Sequence, residues 1–267
     1  MELAIAGIML ISYAIKVRLK SNSYKTIIKQ LIREEDLLRE KLILEDDKIF
    51  QEIRENKDGT YYIGGVDVSF QDDGKACIAL AVVTFPELEV VYTKYKHFDN
   101  LLEYIPSFLA FREGPCVKSL FNDMKKENLP FFPHVLMIDG NGILHPRDLG
   151  LACHVGIDLD IPSIGVAKSL FYCHGIQKDS SFYEKVQNMK DGGDSFPLVR
   201  EHDNKTIAYA LKSTKDSKKP IYISQGYKVS LSTAVWLVKQ CCKYRIPEPV
   251  RMADQYSRKI IRESQTS

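Results

Sequence analysis

Residues 61–70 read Tyr-Tyr-Ile-Gly-Gly-Val-Asp-Val-Ser-Phe, and two further stretches rich in β-branched and aromatic residues follow at 77–85 and 88–97. The breaks between these stretches are short and contain turn-forming residues, Gln71–Gly74 in the first and Pro86-Glu87 in the second. Runs of this length and composition, bounded by such residues, are typical of β-strands. The region from 61 to 97 therefore predicts a three-stranded antiparallel meander.

Beyond residue 97 the pattern alternates between helix and strand. Gly114-Pro115 is expected to open a helix that runs to about Asn128, because proline suits the first helical position. The apolar run Pro133–Ile138 is typical of a buried parallel strand. Further expected elements are a helix at 148–157, strands at 163–167, 206–211 and 220–224, helices from Ser230 and from Val250, and a loop-rich stretch after residue 167. The pattern predicts an α/β fold, a mixed sheet in which the meander is continued by parallel strands, with helices on both faces.

The composition is that of a globular chain. Of its 267 residues, 45% are hydrophobic and 27% are charged, which excludes a wholly disordered chain and allows one large domain or two small ones. Helical spacing of apolar residues over 23–55 predicts one or two amphipathic helices. The apolar run at 3–15 is shorter than a membrane-spanning helix requires. We interpret residues 1–22 as an N-terminal hydrophobic extension. A packed helix, or a segment peculiar to this chain, is favoured over a membrane anchor.

Charge is unevenly distributed along the chain. Residues 201–267 hold 13 basic and 6 acidic side chains, whereas residues 61–200 hold 13 basic and 18 acidic ones. A basic region beside an acidic one is typical of a protein that binds a polyanion near a cation, although a solvated lysine-rich face has the same composition.

Three carboxylates are candidate ligands of a metal ion. Asp67 lies within an apolar strand, where an unpaired carboxylate is costly, and Asp139 closes a second strand. Glu113 precedes the helix expected from Gly114. If the two strands are parallel neighbours, the three carboxylates meet, and Mg²⁺ or Mn²⁺ is the cation that such oxygen ligands suit. Each also has a structural explanation, as a turn, a helix start or an Asx turn.

The loop after Asp139 carries further polar residues. His145 and Arg147 bring an imidazole and a guanidinium to the end of this strand, and either can contact phosphate, although a lone histidine is often a structural hydrogen-bonding residue. Gly140 and Gly142 permit close approach of a ligand to the backbone. By themselves these features leave both explanations open.

Taken in order, the motifs resemble those of the endonuclease V family, and of its animal members in particular, over roughly residues 30–264. Any single motif is weak, but the ordered set is specific. The motifs are Gly64–Phe70, Tyr104-Ile105-Pro106, Phe108–Pro115, Ile138–Arg147, Gly165–Lys168 and Arg245–Arg251.

The resemblance implies a ribonuclease-H-like fold and a metal-dependent nuclease that acts at inosine. It implies that Asp67 and Asp139 hold the cation and that Glu113 completes the acidic site. By the same resemblance, Lys168 and His145 work close to the scissile phosphate.

Substrate recognition follows from the same resemblance. Tyr104, Ile105 and Pro106 correspond to a wedge that enters the strand beside the everted base, whose extrusion costs a few kcal/mol. The loop residues Gly140, Asn141 and Gly142 correspond to a pocket that reads hypoxanthine by its edge, and Arg147 of the same loop is a further expected substrate contact.

Two positions depart from the family pattern. Many members have His after the Gly of a Ser-x-Gly motif, whereas this chain has Tyr227 there, after Ser224 and Gly226. Glu103 stands where the wedge often begins with Pro. These departures put in doubt any role of that His and the rigidity of the wedge.

The resemblance thus predicts a single nuclease domain over 23–267. It would recognise inosine in single-stranded RNA, with DNA as a second substrate, and hydrolyse the second phosphodiester 3′ to the inosine, leaving 3′-hydroxyl and 5′-phosphate ends. Mg²⁺ is the expected cofactor and Mn²⁺ its substitute. A monomer without an obligate protein partner is expected, in the cytoplasm and secondarily in the nucleus or nucleolus. The alternative is a non-catalytic protein that binds inosine or single strands.

Overall fold

The computed structural model describes residues 24–56, 59–71, 75–99 and 105–265. Contacts divide the chain into two units, the first ending at Lys41 and the second beginning at Leu42. In the first unit, residues 24–39 form helix α1. The expected extension at 1–22 lies outside the described residues.

Within its described residues, the second unit is built on one mixed sheet of eight strands. The three strands of the meander form one side of it, and β1, β4 and β5 pair in parallel at its centre, while all other pairs are antiparallel. The spatial order is β3-β2-β1-β4-β5-β8-β7-β6. The strands are β1 Tyr61–Phe70, β2 Ala76–Phe85, β3 Val90–Phe98, β4 Val135–Asp139, β5 Ser163–Ala167, β6 Ser195–Val199, β7 Thr206–Leu211 and β8 Ile221–Tyr227. The predicted meander and its parallel continuation are confirmed.

In the described part of this unit, six helices accompany the strands. Two begin at residues whose side chains cap the helix: Asp179 accepts a hydrogen bond from the Phe182 amide, and Ser230 accepts one from the Thr233 amide. Such caps satisfy amides that the first turn leaves unpaired. The helices are α2 Ile49–Glu55, α3 Leu109–Glu127, α4 Leu151–Leu159, α5 Ser180–Asn188, α6 Leu231–Gln240 and α7 Glu248–Gln265.

Alternation of side chains along the strands creates a core on each face of the sheet. In β4, Val135 and Met137 point to one core, whereas Leu136 and Ile138 point to the other. The first core also receives residues of α2, α6 and α7, and the second receives residues of α3 and α4. Helices therefore cover both faces, as predicted.

Two predictions about local structure were wrong. Helix α3 begins at Leu109, so Pro115 lies inside it and Glu113 lies on it instead of before it. The stretch expected to be loop-rich contains α5 and the edge strand β6.

Helix α7 lies unusually close to β1. A Cβ atom built on Gly65 would fall 2.0 Å from the carbonyl group of Pro249, in the first turn of α7. Glycine at this position thus lets α7 cross the strand that carries Asp67. Among the described residues, the structure contains no helix with the length and apolarity needed to span a membrane.

Candidate active site

Carboxylates from two strands and a helix converge at one edge of the sheet. Val66 of β1 lies opposite Ile138 of β4, so the next residues, Asp67 and Asp139, lie side by side. Helix α7 adds Asp254, and one oxygen of each of the three carboxylates lies within 4.8 Å of the others. In the part of the chain that the structure describes, this is the acidic group that can share one metal ion.

Two serine hydroxyls orient Asp67, whose side chain is almost fully buried. The Ser257 hydroxyl lies 3.0 Å from Asp67 Oδ2, and the Ser69 hydroxyl lies 3.2 Å from the same oxygen. The two hydroxyls are 2.8 Å apart. Ser257 belongs to α7, so this network also ties the helix to the strand at the site.

The ammonium group of Lys168 lies next to the three carboxylates of the acidic group. Its Nζ lies 2.5 Å from Asp139 Oδ2, 2.8 Å from Asp254 Oδ1 and 3.6 Å from Asp67 Oδ1. Burial alone would lower the pKa of Lys168, but these carboxylates raise it above its ordinary value. Lys168 is therefore cationic at neutral pH.

The neighbouring aspartates respond in opposite ways. Burial raises the pKa of Asp139, and a hydrogen bond with Asp67 adds to this against the effect of Lys168. Burial also opposes ionisation of Asp254, yet Lys168 and Arg258 hold its pKa below the ordinary value. Ionised carboxylates this close together repel one another, and a nearby positive charge stabilises their ionised forms.

Glu113 is buried near these carboxylates but is not one of the three within 4.8 Å of one another. Burial is the main cause that raises its pKa to about 8. The adjacent Arg112 opposes the shift, while the charges of Asp67 and Asp139 increase it. Burial and the nearby carboxylates thus favour the protonated form of Glu113.

A cleft of about 580 Å³ opens onto the acidic group. Phe70 at its rim is 41% exposed, and the guanidinium of Arg112 stacks on its ring at 4.3 Å. The remaining lining consists of three acidic side chains, three basic ones and three uncharged ones: Asp67, Asp139, Asp254, Lys168, Arg258, Arg262, Val68, Ser69 and Ile261. The cleft therefore offers a cation site, positive charge and an aromatic surface.

The structure places His145 and Arg147 against the turn that precedes α3. His145 is buried, and its Nε2 lies 3.0 Å from the carbonyl oxygen of Ser107. Arg147 donates a hydrogen bond to the same oxygen. Burial and the charge of Arg147 lower the pKa of His145 to about 4, so this imidazole is neutral at pH 7.

The other predicted recognition residues that the structure describes lie on this turn and in the loop after Asp139. Ile105 is half-buried and Pro106 is exposed, while Tyr104 lies outside the described residues. Gly142 packs so tightly that a Cβ would fall 1.8 Å from the Gln225 carbonyl oxygen, which gives this glycine a structural reason. Gly140 follows Asp139 directly, and the buried Oδ1 of Asn141 has no hydrogen-bond partner among the described residues.

Tyr227, one of the two departures, is remote from the acidic group. It pairs with Ser163 at the start of β5, whereas Lys168 follows the end of that strand. Its hydroxyl lies 3.1 Å from Asp160 Oδ1. The substitution therefore leaves the acidic group unchanged, and Tyr227 is not a polar group beside Lys168.

A comparison with known families decides where the chain belongs. The sequence model of the family described as Endonuclease V matches residues 44–255 of this chain. The chain belongs to the Endonuclease V family. This confirms the resemblance that the motifs indicated.

Relatives of known sequence and structure agree with this assignment. Endonuclease V of Homo sapiens is 44% identical over 208 residues, which are 77% of this chain and 73% of that protein. The crystal structure of human ENDOV matches with a TM-score of 0.84 at 40% identity, covering 89% of this chain and 99% of that one. Its ribonuclease-H-like fold is the fold of this chain.

Another relative was solved with nucleic acid. It is Ciona intestinalis Endonuclease V, in complex with a 24mer DNA containing an inosine followed by a ribo-adenosine. It matches with a TM-score of 0.80 at 32% identity, covering 90% of this chain and 99% of that one. Membership of the Endonuclease V family implies that the present chain is a nuclease.

Sequence reasoning did not find Asp254. In the sequence, Asp254 has the spacing of an ordinary ion pair on a helix surface, because Arg258 follows one turn later. In the structure, Arg258 Nε lies 2.9 Å from Asp254 Oδ2. The available signal was the small residues Ala253 and Ser257 beside it, both fully buried, which mark a helix face packed against the sheet.

Proposed function

We propose that this member of the Endonuclease V family is a metal-dependent endonuclease that recognises inosine in single-stranded nucleic acid, with RNA preferred over DNA. It hydrolyses the second phosphodiester 3′ to the inosine and leaves 3′-hydroxyl and 5′-phosphate ends. The observation that carries the proposal is the group formed by Asp67, Asp139 and Asp254 beside Lys168, in a chain of this family.

The donor set fits a divalent cation that prefers oxygen. Three carboxylates within 4.8 Å of one another repel unless positive charge lies between them. Carboxylate oxygens without thiolate or imidazole suit Mg²⁺, with Mn²⁺ able to replace it. Bound there, the ion would activate a water molecule and stabilise charge on the phosphodiester.

The side chains around the carboxylates orient them and set their charge for metal binding. Ser257 and Ser69 both contact Asp67 Oδ2, which fixes the orientation of this carboxylate. Lys168 keeps Asp254 ionised and places a positive charge at the mouth of the cleft, where it can contact a phosphate oxygen. Glu113, whose pKa is about 8, can hold a proton near the same carboxylates.

Recognition of inosine is supported by the Ciona relative, which binds DNA with an inosine followed by a ribo-adenosine. In this chain, the residues that correspond to the wedge precede α3, and those that correspond to the base pocket follow Asp139. The buried Oδ1 of Asn141, in the loop that corresponds to the base pocket, has no hydrogen-bond partner among the described residues and is an unsatisfied acceptor. A preference for RNA requires a polar group near a 2′-hydroxyl, and Lys168 is our candidate.

A non-catalytic binding protein is the alternative. It would use the wedge and basic side chains to hold an inosine-containing strand without turnover. Such a protein has no need for three crowded carboxylates, whose mutual repulsion must be compensated within the fold. Their presence favours the enzyme.

The test is single-turnover cleavage of three labelled strands of one sequence: all-DNA, DNA with one ribose 3′ to the inosine, and all-RNA. We expect one cut at the second phosphodiester, with most of the RNA rate restored by the single ribose. Equal rates on all three strands would refute the RNA preference. Binding without cleavage in Mg²⁺ would support the alternative.

A further inference from the structure

The backbone carbonyl of Ser107 receives two side-chain donors. Nε2 of His145 lies 3.0 Å from this oxygen, and Arg147 donates to it as well. Ser107 has a φ of +66°, a left-handed conformation that L-residues other than glycine seldom adopt. Two donors on one carbonyl stabilise a backbone conformation that is otherwise unfavourable.

Ser107 belongs to a tight turn. The Phe108 amide donates to the Ile105 carbonyl over 3.0 Å, which closes the turn formed by residues 105–108. Phe108 is buried, and the guanidinium of Arg147 stacks on its ring at 3.9 Å. The 105–108 turn is therefore held by hydrogen bonds and by stacking from one loop.

That loop is itself fixed to the sheet next to Asp139. The Gly142 amide donates to the Ser224 hydroxyl over 2.8 Å, and the Ile143 amide donates to the Gln225 carbonyl over 2.8 Å. On its far side, Nε2 of His174 lies 2.8 Å from the His145 carbonyl. A continuous set of contacts thus connects β8, the loop after β4 and the 105–108 turn.

We propose that His145 and Arg147 are positioning residues that fix the 105–108 turn relative to Asp139, and thereby set which phosphodiester bond is cut. The inference rests on the proposed function, because a defined cut position requires an endonuclease that recognises a base. Ile105 and Pro106 lie on the turn, and Asp139 belongs to the acidic group. The distance between turn and metal site then determines the distance between the recognised base and the cut.

A direct phosphate contact is the competing role for these two side chains. His145 is only 7% exposed and is neutral at pH 7, since burial and Arg147 lower its pKa to about 4. A neutral, buried imidazole whose Nε2 faces a carbonyl is poorly suited to bind an anion. Arg147, whose guanidinium carbon lies 3.9 Å from the Phe108 ring centroid and which also donates to Ser107, is placed to orient the turn.

The experiment maps the cut at nucleotide resolution on a labelled strand with one inosine, using the full chain with Mg²⁺. The variants are His145→Leu and Arg147→Met, which remove the donors, and His145→Gln and Arg147→Lys, which test replacement. The control is His97→Leu, whose exposed side chain lies on β3, three strands away from β4 in the sheet. KM, kcat, salt dependence of binding and melting temperature are measured for each.

We expect His145→Leu and Arg147→Met to cut at neighbouring bonds and to lower kcat by about a hundredfold, the effect of misplacing reacting groups by about 1 Å. KM should change little. His145→Gln should restore the single cut, because the glutamine amide can still donate a hydrogen bond. Arg147→Lys retains the charge and the fold but should not restore the single cut. Lysine has no planar guanidinium that can stack on a ring and donate two parallel hydrogen bonds. The control should match the wild type.

An unchanged cut position in the folded Arg147→Lys and Arg147→Met variants, with weaker binding and a flatter salt dependence, would overturn the inference in favour of phosphate contact. Failure of the proposed function has a different signature. It would appear in the wild type, as equal cleavage of inosine and adenosine strands, and would refute the inference as well.

Discussion

Replacing Lys168 by methionine removes the positive charge that balances the acidic group. Methionine keeps the length and the apolar stem of the side chain, so the change is mainly electrostatic. Three carboxylates then face one another with no cation at 2.5, 2.8 and 3.6 Å. We expect two consequences, a less stable protein without metal and tighter binding of Mg²⁺.

The contact distances set the scale of both effects. Opposite unit charges 2.8 Å apart attract by about 6 kcal/mol at an effective dielectric constant of about 20, before desolvation is subtracted. Breaking a fully buried pair costs about 3–5 kcal/mol, and because the Lys168 side chain is 31% exposed we expect a loss at the low end, about 3 kcal/mol. For a protein of this size, that loss lowers the melting temperature by roughly 10 °C. Removing a repulsive unit charge near the ion should tighten Mg²⁺ binding by at least about tenfold, equivalent to about 1.4 kcal/mol.

The assay is thermal unfolding in EDTA and across a Mg²⁺ titration, together with single-turnover cleavage at saturating Mg²⁺. Lys168→Met should melt well below the wild type in EDTA and regain most of the difference in Mg²⁺. Cleavage should still fall by about a hundredfold, because a preorganised charge at the phosphate is lost. Lys259→Met, on an exposed part of α7, is the matched control.

Two results would refute this reasoning. If Lys168→Met melts like the wild type in EDTA, the lysine does not balance the carboxylates. If Mg²⁺ stabilises both proteins equally, the ion and the lysine do not interact with the same carboxylates.

Three further predictions concern other parts of the molecule. Asp254→Asn should lower the cleavage rate by at least about a hundredfold, whereas Glu263→Gln on the exposed side of the same helix should not change it; equal rates would remove Asp254 from the site. Tyr104→Ala should reduce the preference for inosine over adenosine in binding, because stacking worth about 1–3 kcal/mol is lost, and a retained preference would refute the wedge. Burial lowers the pKa of His154 from its ordinary 6.5 to about 4, so its contribution to stability is present above pH 6.5 and is lost as the pH falls toward 4. Urea unfolding at pH 8 and pH 5 should therefore show about 2 kcal/mol more acid destabilisation in the wild type than in His154→Phe, and equal losses would contradict the pKa.

The central part of the site could be predicted because it depends on local pattern. Strand periodicity and the turn residues between strands predicted β1, β2 and β3, and the apolar run before Asp139 predicted β4. Once β1 and β4 are parallel neighbours, Asp67 and Asp139 must lie side by side. Local sequence was sufficient for the two strands, whereas their pairing, which brings the two carboxylates together, was a condition that local pattern left open.

Asp254 depends on long-range packing and could not be predicted in the same way. It approaches Asp67 because α7 crosses β1 where Gly65 has no side chain. The sequence contains the glycine and the small residues Ala253 and Ser257, but nothing local says that they meet. The prediction for Glu113 was wrong for a local reason: proline favours the first turn of a helix, yet helix α3 begins six residues before Pro115.

Strand β6 illustrates a further limit. Its sequence, Ser-Phe-Pro-Leu-Val, contains Pro197, which cannot donate to a neighbouring strand and therefore argues against a strand. In the structure β6 is the last strand of the sheet and pairs with β7 alone among the described residues, so the missing donor can be tolerated at this edge. Edge position is a property of the whole sheet and is not visible in five residues.

Cleavage of a single-stranded RNA with one inosine, in Mg²⁺ and in EDTA, beside the same strand with adenosine at that position, tests the central claim most directly. The account predicts one product, cut at the second phosphodiester 3′ to the inosine, in Mg²⁺ alone and from the inosine strand alone. Equal cleavage of the adenosine strand, or cleavage of either strand in EDTA, would contradict it.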